Sequence, residues 1–421
     1  MIRKISTKSL EVGMFVSDVG RTWLNHPWKS KSRLLTSKSE IDELIQFGIE
    51  EVYIDTDKAV KQPKPVAQPK QGVKKPEAEK PTPAKGPTAA AVAVAVPKAV
   101  APSVAMETEF PIAAKAYARA LDTSKALVAA CRMNKRIEVS EVQENVDELV
   151  ESVTRNRDAL TALIKLRHFD DYTYTHSLNV SVLSISAGKT LGLTNDELRI
   201  LGLGTMFHDL GKIRIPDNIL NKPGKLTDDE FAVMRNHAAM SAEILTEQNL
   251  NVSRQVIEVA RSHHERIDGS GYPDQLQGEQ IPPLATICGL SDVYDALTSD
   301  RVYHKGMLPH DALKFIYTLR GTHFQPDWVD RFVQSVGIYP PGSVVELNTG
   351  HRAVVMEIAH RSLLTPLIKV VSDPNGQLYN RPKLVDLSKS AESQGWSIDK
   401  AVPPSEAGFE PSDYFSFTEN N

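Results

Sequence analysis

Hydrophobic and polar positions change rhythm several times along this chain. Residues 1 to about 58 are compact in pattern, with Trp23 and Trp28 paired in WLNHPW. Their end, IDELIQFGIEEVYIDT, predicts a helix and then a short strand, Val52 to Asp55. From about Ala59 to Met106 Lys, Pro, Ala and Val follow one another without lasting period, and the prolines interrupt helix and sheet ladders alike, which predicts a linker. Helical spacing dominates from Glu107 to Phe332. Thr194 to Glu197 and Thr227 to Glu230 both fit the S/T-x-x-E capping box, in which hydroxyl and carboxylate satisfy free amides of a first turn. The first of these helices is expected to run on to His208 and Asp209, the second to pass through His237. A helix after Ser253 puts Val256, Val259, Ala260 and His263 on one stripe, turning that histidine inward. Another after Pro283 aligns Ala285, Cys288, Gly289 and Asp292, a face of small residues that lets a carboxylate come close to a metal. Beyond Pro341 the runs VVEL, AVVMEI and LIKVV, broken by Asn, Gly and Pro, predict a small sheet.

These rhythms divide the chain into a small α+β domain (1–58), a linker (59–106), a helical region (107–340, core 150–335), a small β extension (341–390) and a polar tail (391–421). Charge sharpens the division. The window Lys58 to Lys98 holds nine Lys against two Glu, a surplus of 7 that leaves about minus 11 for the rest of a 421-residue chain of net charge minus 4. The globular parts are therefore acidic, which argues against a polymeric nucleic acid as partner. Cys131 and Cys288 are the only two cysteines and form no CxxC, so neither a disulfide framework nor a zinc ribbon is available, and a reducing compartment fits. The start MIRKISTKSL lacks an apolar core of signal-peptide length, and AAAVAVAV from Ala89 is short and bounded by Pro97 and Lys98. A cytoplasmic protein with no transmembrane segment is expected.

The candidate chemistry lies in the helical region. His176, His208, Asp209, His237, His263, His264 and Asp292 stand on four or five separate helical segments. Imidazoles and carboxylates without thiolate suit iron, manganese, zinc, cobalt or nickel. Seven ligands serve two metals if one carboxylate bridges, and Asp209, beside His208 and hemmed in by Gly211, is the natural bridge. His176, His208 and Asp292 are assigned to one metal, His237, His263 and His264 to the other, and Asp209 to both. Singly, a lone histidine is more often a hydrogen-bonded core or surface residue than a ligand; joint occurrence carries the assignment. In HHERIDGSGYP the glycines at 269 and 271 mark a bend needing free backbone angles, and Pro273 stiffens its exit. Tyr272 would be held there as an exposed aromatic plate beside the cations, suited to a purine-containing phosphodiester.

With YTHS at Tyr174, HDLGKIRIPDNILNKPGKLT from His208, RNH ending at His237, HHERIDGSGYP from His263 and SDVYDALTSDRVY from Ser291, the chain resembles the HD-GYP family of bacterial cyclic di-GMP phosphodiesterases, a branch of the HD metal-dependent phosphohydrolases. The resemblance covers roughly residues 150 to 335. It implies a mainly α fold, a helical HD-type catalytic domain flanked by the small α+β N-terminal domain and the β extension. It implies the same seven metal ligands, two divalent ions, iron or manganese for preference, and substrate contacts from Lys212, Gly271, Tyr272 and Arg301. Asp209 and Lys212 are then the catalytic pair. The implied reaction opens cyclic di-GMP to a linear 5′-phosphorylated dinucleotide, with GMP as the product of a second round; cyclic GMP-AMP hydrolysis and ligand reception without turnover are the alternatives. Some members carry a glutamate four residues before the first ligand histidine and bind a third metal; that position is Tyr172 here. Some carry RxYK where this chain reads RVYHK, so His304 or Lys305 stands for the phosphate-binding lysine. The N-terminal part, with VGMFV and WLNHPW, resembles a domain of unknown function that often precedes HD-GYP domains.

Overall fold

The computed structural model describes residues 2–18, 33–46, 49, 51–56, 102–133, 135–166, 172–248, 250–300, 305–358, 363–389, 393 and 395–415. The chain divides into two compact units between residues 91 and 92. In the first, strands β1 (Ile2–Ser6), β2 (Phe15–Asp18), β3 (Arg33–Leu34) and β4 (Glu51–Asp55) form an antiparallel sheet in the order β1-β4-β2-β3, with helix α1 (Lys38–Gln46) between β3 and β4 in sequence. The period-two pattern of β4 buries Val52 and Ile54, which share a core with Val16, Ile41 and Leu44. The expected helix and strand are both present; Trp23 and Trp28 lie outside the described residues.

The second unit opens with a long antiparallel-type pairing of sequence-adjacent helices, α2 (Met106–Arg132) and α3 (Val139–Leu166). Asn156 interrupts α3 with extended backbone, and its side-chain oxygen accepts from the Asp158 amide at 3.0 Å, as a cap does for a new first turn. Helix α4 (Tyr172–Thr190) then runs through the middle of the unit. Its Leu178, Val182 and Ile185 belong to one core cluster and its Leu183 and Ala187 to another, so it is buried all round and shows no amphipathic stripe. Helices α2, α3, α5 (Asn195–Phe207), α10 (Pro283–Thr298) and α12 (Pro326–Val336) pack against it, and the single-turn α6 (Asp217–Leu220), α7 (Asp228–Met234), α8 (His237–Glu247), α9 (Arg254–Ser262) and α11 (Pro309–Thr318) complete the helical part. Both capping boxes are complete, at Thr194/Glu197 and Thr227/Glu230, and Ser253 caps α9 through the Val256 amide.

Two helix ends differ from the sequence expectation. α5 stops at Phe207, leaving His208 and Asp209 in the following turn, and the helix begun at Thr227 stops at Met234, with α8 starting afresh at His237. The reason is local. Carbonyls near a helix end are short of amide partners, and imidazole Nδ1 groups supply a donor: His208 Nδ1 is 2.6 Å from Thr205 O, beside the weaker bond from its own amide, and His237 Nδ1 is 2.8 Å from Met234 O.

The C-terminal sheet is antiparallel, in the order β8-β7-β6-β5-β9, from β5 (Val344–Leu347), β6 (Arg352–Glu357), β7 (Leu367–Ser372), β8 (Leu378–Asp386) and β9 (Ile398–Val402). Val354, Met356 and Val371 join the main helical core, while Val345, Val355, Ile368 and Val370 form a second cluster with Trp396. Strand β9 falls inside the stretch expected as a polar tail, which corrects that boundary: it pairs with β5, and Phe415 beyond it packs in the helical core at 5.3 Å from the Phe110 ring. The exposed positions of β9 are polar because it is an edge strand, and this hid it among polar neighbours.

Candidate metal centre

Three helix ends and two helix interiors deliver the seven candidate ligands to one place. His208 and His263 are the residues that cap α5 and α9, His237 opens α8, and His264 follows His263; His176 lies in the first turns of α4 and Asp292 in the body of α10. Their arrival depends on close backbone approach. A Cβ on Gly211 would sit 2.1 Å from His237 O, and one on Gly289 would sit 2.4 Å from His263 O, so only glycine lets these segments meet. Ser241 ties the turn down, its Oγ accepting from Gly211 N at 2.8 Å and donating to His208 O at 2.7 Å.

The ring nitrogens are sorted by their partners. His208, His237 and His263 each turn Nδ1 to the carbonyl three residues back, the last at 2.8 Å from Ala260 O, which makes Nδ1 the protonated nitrogen and leaves the Nε2 lone pair for the centre. His176 does the same with a carboxylate, its Nδ1 lying 2.7 Å from Asp295 Oδ2. Two groups of converging ligand atoms result, His176 with His208 and Asp209, and His237 with His263 and His264, the atoms of each within 4.8 Å of one another. Asp209 faces both: Oδ2 lies 3.4 Å from Nε2 of His176 and of His208, and Oδ1 lies 3.3 Å from His237 Nε2. Asp292 stands between them too, 3.2 Å from His176 Nε2 and 3.8 Å from His264 Nδ1, where a place in the first group alone was expected.

Three buried atoms here, His208 Nε2, His263 Nε2 and Asp209 Oδ1, have no hydrogen-bond partner. Orphaned buried polar atoms are costly and rare. Three in one cluster of borderline nitrogen and hard oxygen donors fit divalent transition-metal ions. Burial pushes His208, His263 and His264 below the ordinary imidazole range and His237 down to about 4, so all four are neutral donors at pH 7. Burial opposes ionisation of Asp209 and Asp292, yet His208 and Lys212 beside the first, and His176 and His264 beside the second, hold both well below the usual carboxylate range.

Around this centre stand the residues expected to meet substrate. Lys212 Nζ is 2.5 Å from Asp209 Oδ2, and its side chain is about a third exposed. Tyr272 is half-buried, and the free-standing plate expected of it is corrected by its neighbours: its ring lies 4.6 Å from that of His264 and meets Phe231 edge-on at 6.3 Å. Gly269 takes positive φ, as a bend requires. Gly271 does not; it is buried, and a Cβ there would sit 2.4 Å from Arg266 N, so close packing is what demands glycine. Glu265 holds the same loop, accepting from the amides of Asp274 at 2.7 Å and Leu276 at 2.9 Å. Lys305 is exposed, and the neighbouring Gly306 N donates to Asp300 Oδ1 at 2.8 Å; Arg301 and His304 lie outside the described residues.

The sequence reading missed Asp295, Glu265 and Ser241. A signal existed for the first and last: Asp295 is three residues past Asp292 and Ser241 four past His237, spacings that share a helix face.

Residues 147–328 match the family model described as HD domain, residues 2–142 a domain of unknown function (DUF3391), and residues 344–408 a KOW domain associated with HD domain. A cyclic di-GMP phosphodiesterase of Pseudomonas aeruginosa is 37% identical over 99% of this chain and 94% of its own length. A cyclic di-GMP phosphodiesterase response regulator of Xanthomonas campestris is 39% identical over 43% of this chain and 48% of its own, and a 3′3′-cGAMP-specific phosphodiesterase of Vibrio cholerae 35% identical over 38% and 31%. A solved HDG"Y"P protein from Bdellovibrio bacteriovorus is 15% identical, with a TM-score of 0.45 over 79% of this chain and 98% of that one.

Proposed function

The chain belongs to the HD-GYP family of HD-domain metal-dependent phosphohydrolases, and from that premise we propose that this cyclic dinucleotide phosphodiesterase opens cyclic di-GMP to the linear 5′-phosphorylated dinucleotide. The carrying observation is the pair of ligand groups that share Asp209. The choice of cyclic di-GMP rests on likeness to the Pseudomonas enzyme along nearly the whole chain, whereas the likeness to the cGAMP-specific enzyme spans 38% of it.

His176, His208 and Asp209 would hold one divalent ion and His237, His263 and His264 the other, with Asp209 shared and Asp292 at the seam. Bound there, two such ions supply Lewis acidity and a nucleophilic water at neutral pH. The protein's own groups do the rest. Lys212 offsets negative charge that builds on the phosphoryl oxygens as the oxygen of water bonds to phosphorus and the bond to the 3′ oxygen breaks. Tyr272 offers its ring, held between His264 and Phe231, to a guanine base. Arg301 and Lys305 are read as holding the second phosphate. Iron or manganese suits the donor set.

Among the described residues no helix is long and apolar enough to cross a membrane, and the two buried free cysteines suit a reducing cytoplasm, where we place the protein.

The test is product analysis of the full chain, loaded anaerobically with Fe(II) or Mn(II), against cyclic di-GMP, cyclic GMP-AMP and cyclic di-AMP. Preferred conversion of cyclic di-GMP supports the reading. Preference for cyclic GMP-AMP moves the substrate, and tight binding without turnover makes the protein a receptor.

A further inference from the structure

Behind His176 runs a buried chain of side chains that the chemistry above leaves unused. His176 Nδ1 meets Asp295 Oδ2 at 2.7 Å; Asp295 Oδ1 accepts from Asn179 Nδ2 at 3.0 Å and from Ser299 Oγ at 3.1 Å; Asn179 Oδ1 accepts from the Tyr117 hydroxyl at 2.7 Å. Tyr117 is 0%, Asn179 7%, Asp295 1% and His176 4% exposed, so water does not compete for these bonds. The donors converge on Asp295: Tyr117 through Asn179 from one side, and His176 and Ser299 directly. Three helices contribute: α2 gives Tyr117, α4 gives Asn179 one turn after His176, and α10 gives Asp295 one turn after Asp292.

We propose that Tyr117, Asn179 and Asp295 are positioning residues that fix the tautomer and ring angle of His176 and so set the metal affinity of the His176, His208 and Asp209 group. The inference rests on the metal reading of the centre. Its physical core is a competition for one proton. His176 Nε2 lies 3.2 Å from Asp292 Oδ1 and 3.4 Å from Asp209 Oδ2, two carboxylates that both attract an N–H. A proton placed there would block the lone pair a metal needs. Asp295 draws the proton to Nδ1 instead, and it succeeds because its own second oxygen is already held by Asn179 and Ser299, so the carboxylate cannot turn away. Tyr117 locks the Asn179 amide, since its hydroxyl donates only to the oxygen end and thereby aims the NH2 end at Asp295. Helix α2 ends before the part matched as HD domain begins at residue 147, yet it belongs to the framework of the site.

The experiment uses full-length protein, stripped of metal and titrated with Mn(II) alone, with bound ion measured by equilibrium dialysis and fold by thermal melting. Wild type should take up two Mn(II) per chain. Asp295→Asn should lose affinity for one of the two by about tenfold to a hundredfold, the range seen when an outer partner of a ligand histidine is removed, with the other ion unchanged. Tyr117→Phe, which removes one oxygen from a tightly packed ring and is expected to fold, should weaken the same ion by a smaller factor. The double variant should equal Asp295→Asn alone, because both act through one chain. Lowered melting temperature with both Mn(II) affinities intact in Tyr117→Phe and Asp295→Asn overturns the proposal and leaves a plain helix staple. Should Asp295→Asn not fold, Tyr117→Phe and Ser299→Ala decide it by the same criterion. A wild type that binds no pair of ions overturns the metal reading itself, and the positioning role with it.

Discussion

Asp209 Oδ1 lies 3.3 Å from His237 Nε2, and it is a buried oxygen with no hydrogen-bond partner, while the other oxygen of the same carboxylate faces His176 and His208. One side chain thus addresses both ligand groups. Asp209→Ala should abolish hydrolysis and strip metal, because two cations left without their shared counter-charge repel one another in a buried site. Elemental analysis beside an activity assay checks this. Near-normal turnover with full metal occupancy would refute the bridging role.

Purified protein should hold close to two metal ions per chain. A third ion would need a carboxylate one turn before His176, and Tyr172, the first residue of α4, stands there. Phenol is a poor donor for a divalent ion at neutral pH beside seven imidazole and carboxylate competitors. Three tightly held ions per chain in active protein would sink the idea.

Tyr272→Ala should raise KM by roughly 5- to 150-fold, the equivalent of a base-stacking surface worth about 1 to 3 kcal/mol. Burial pushes its hydroxyl far above the ordinary phenol range, so the side chain acts as a neutral ring, and Tyr272→Phe should keep KM near wild type. Steady-state kinetics with both variants separates ring from hydroxyl. An unchanged KM in Tyr272→Ala would make this residue merely part of the turn that packs on His264.

Much of this was legible because local rules and tertiary demands coincide. The capping boxes at Thr194 and Thr227 depend only on four consecutive residues, and both formed. The inward stripe ending at His263 needs only helical period, and that side chain is 1% exposed. What escaped the sequence depends on partners far along the chain. Asp295 reads as an ordinary helical aspartate until His176, 119 positions earlier, is brought to it. Helix α4 has no stripe because it is surrounded, and β9 reads as tail because its partner β5 lies some fifty residues upstream. The helix ends near His208 and His237 differ from the expectation because each imidazole turns its Nδ1 back on the carbonyl three residues before it, a contact the apolar period does not report.

Where β6 meets the helices, burial first and then Asp158, Glu107 and Asp386 push the Glu357 carboxyl from its ordinary 4.5 up to about 7. The folded state therefore binds a proton that the unfolded chain releases between those two values. Stability on this account is fully present below about pH 4.5, falls as pH rises towards 7, and stays low above it. Discounted for the part of the side chain that water reaches, the loss is on the order of 1 to 2 kcal/mol. Glu357→Gln keeps the shape without the charge, so it should melt higher than wild type at pH 8 and nearly equal at pH 5. Equal melting shifts at both pH values would show that Glu357 ionises freely.

The chain from residue 102 onward should fold, bind two metals and hydrolyse the cyclic dinucleotide without the N-terminal sheet. Every described ligand, the proton chain behind His176 and the loop around Tyr272 lie beyond that point. The cut must not fall at Glu107. Met106 is 1% exposed in the core, the amides of Ser103 and Val104 donate to Arg155 O, and Asn156 Nδ2 donates to Val104 O at 3.0 Å, so these residues seal the break in α3. Starting at residue 135 should cost far more, since it removes Tyr117 and the whole face that α2 gives to the main core. Melting curves, metal content and turnover of the two shortened chains, set beside the full one, decide the matter. If the chain from 102 is folded and metal-loaded yet inactive, residues before it complete the active site, and the division of labour drawn from the linker is wrong.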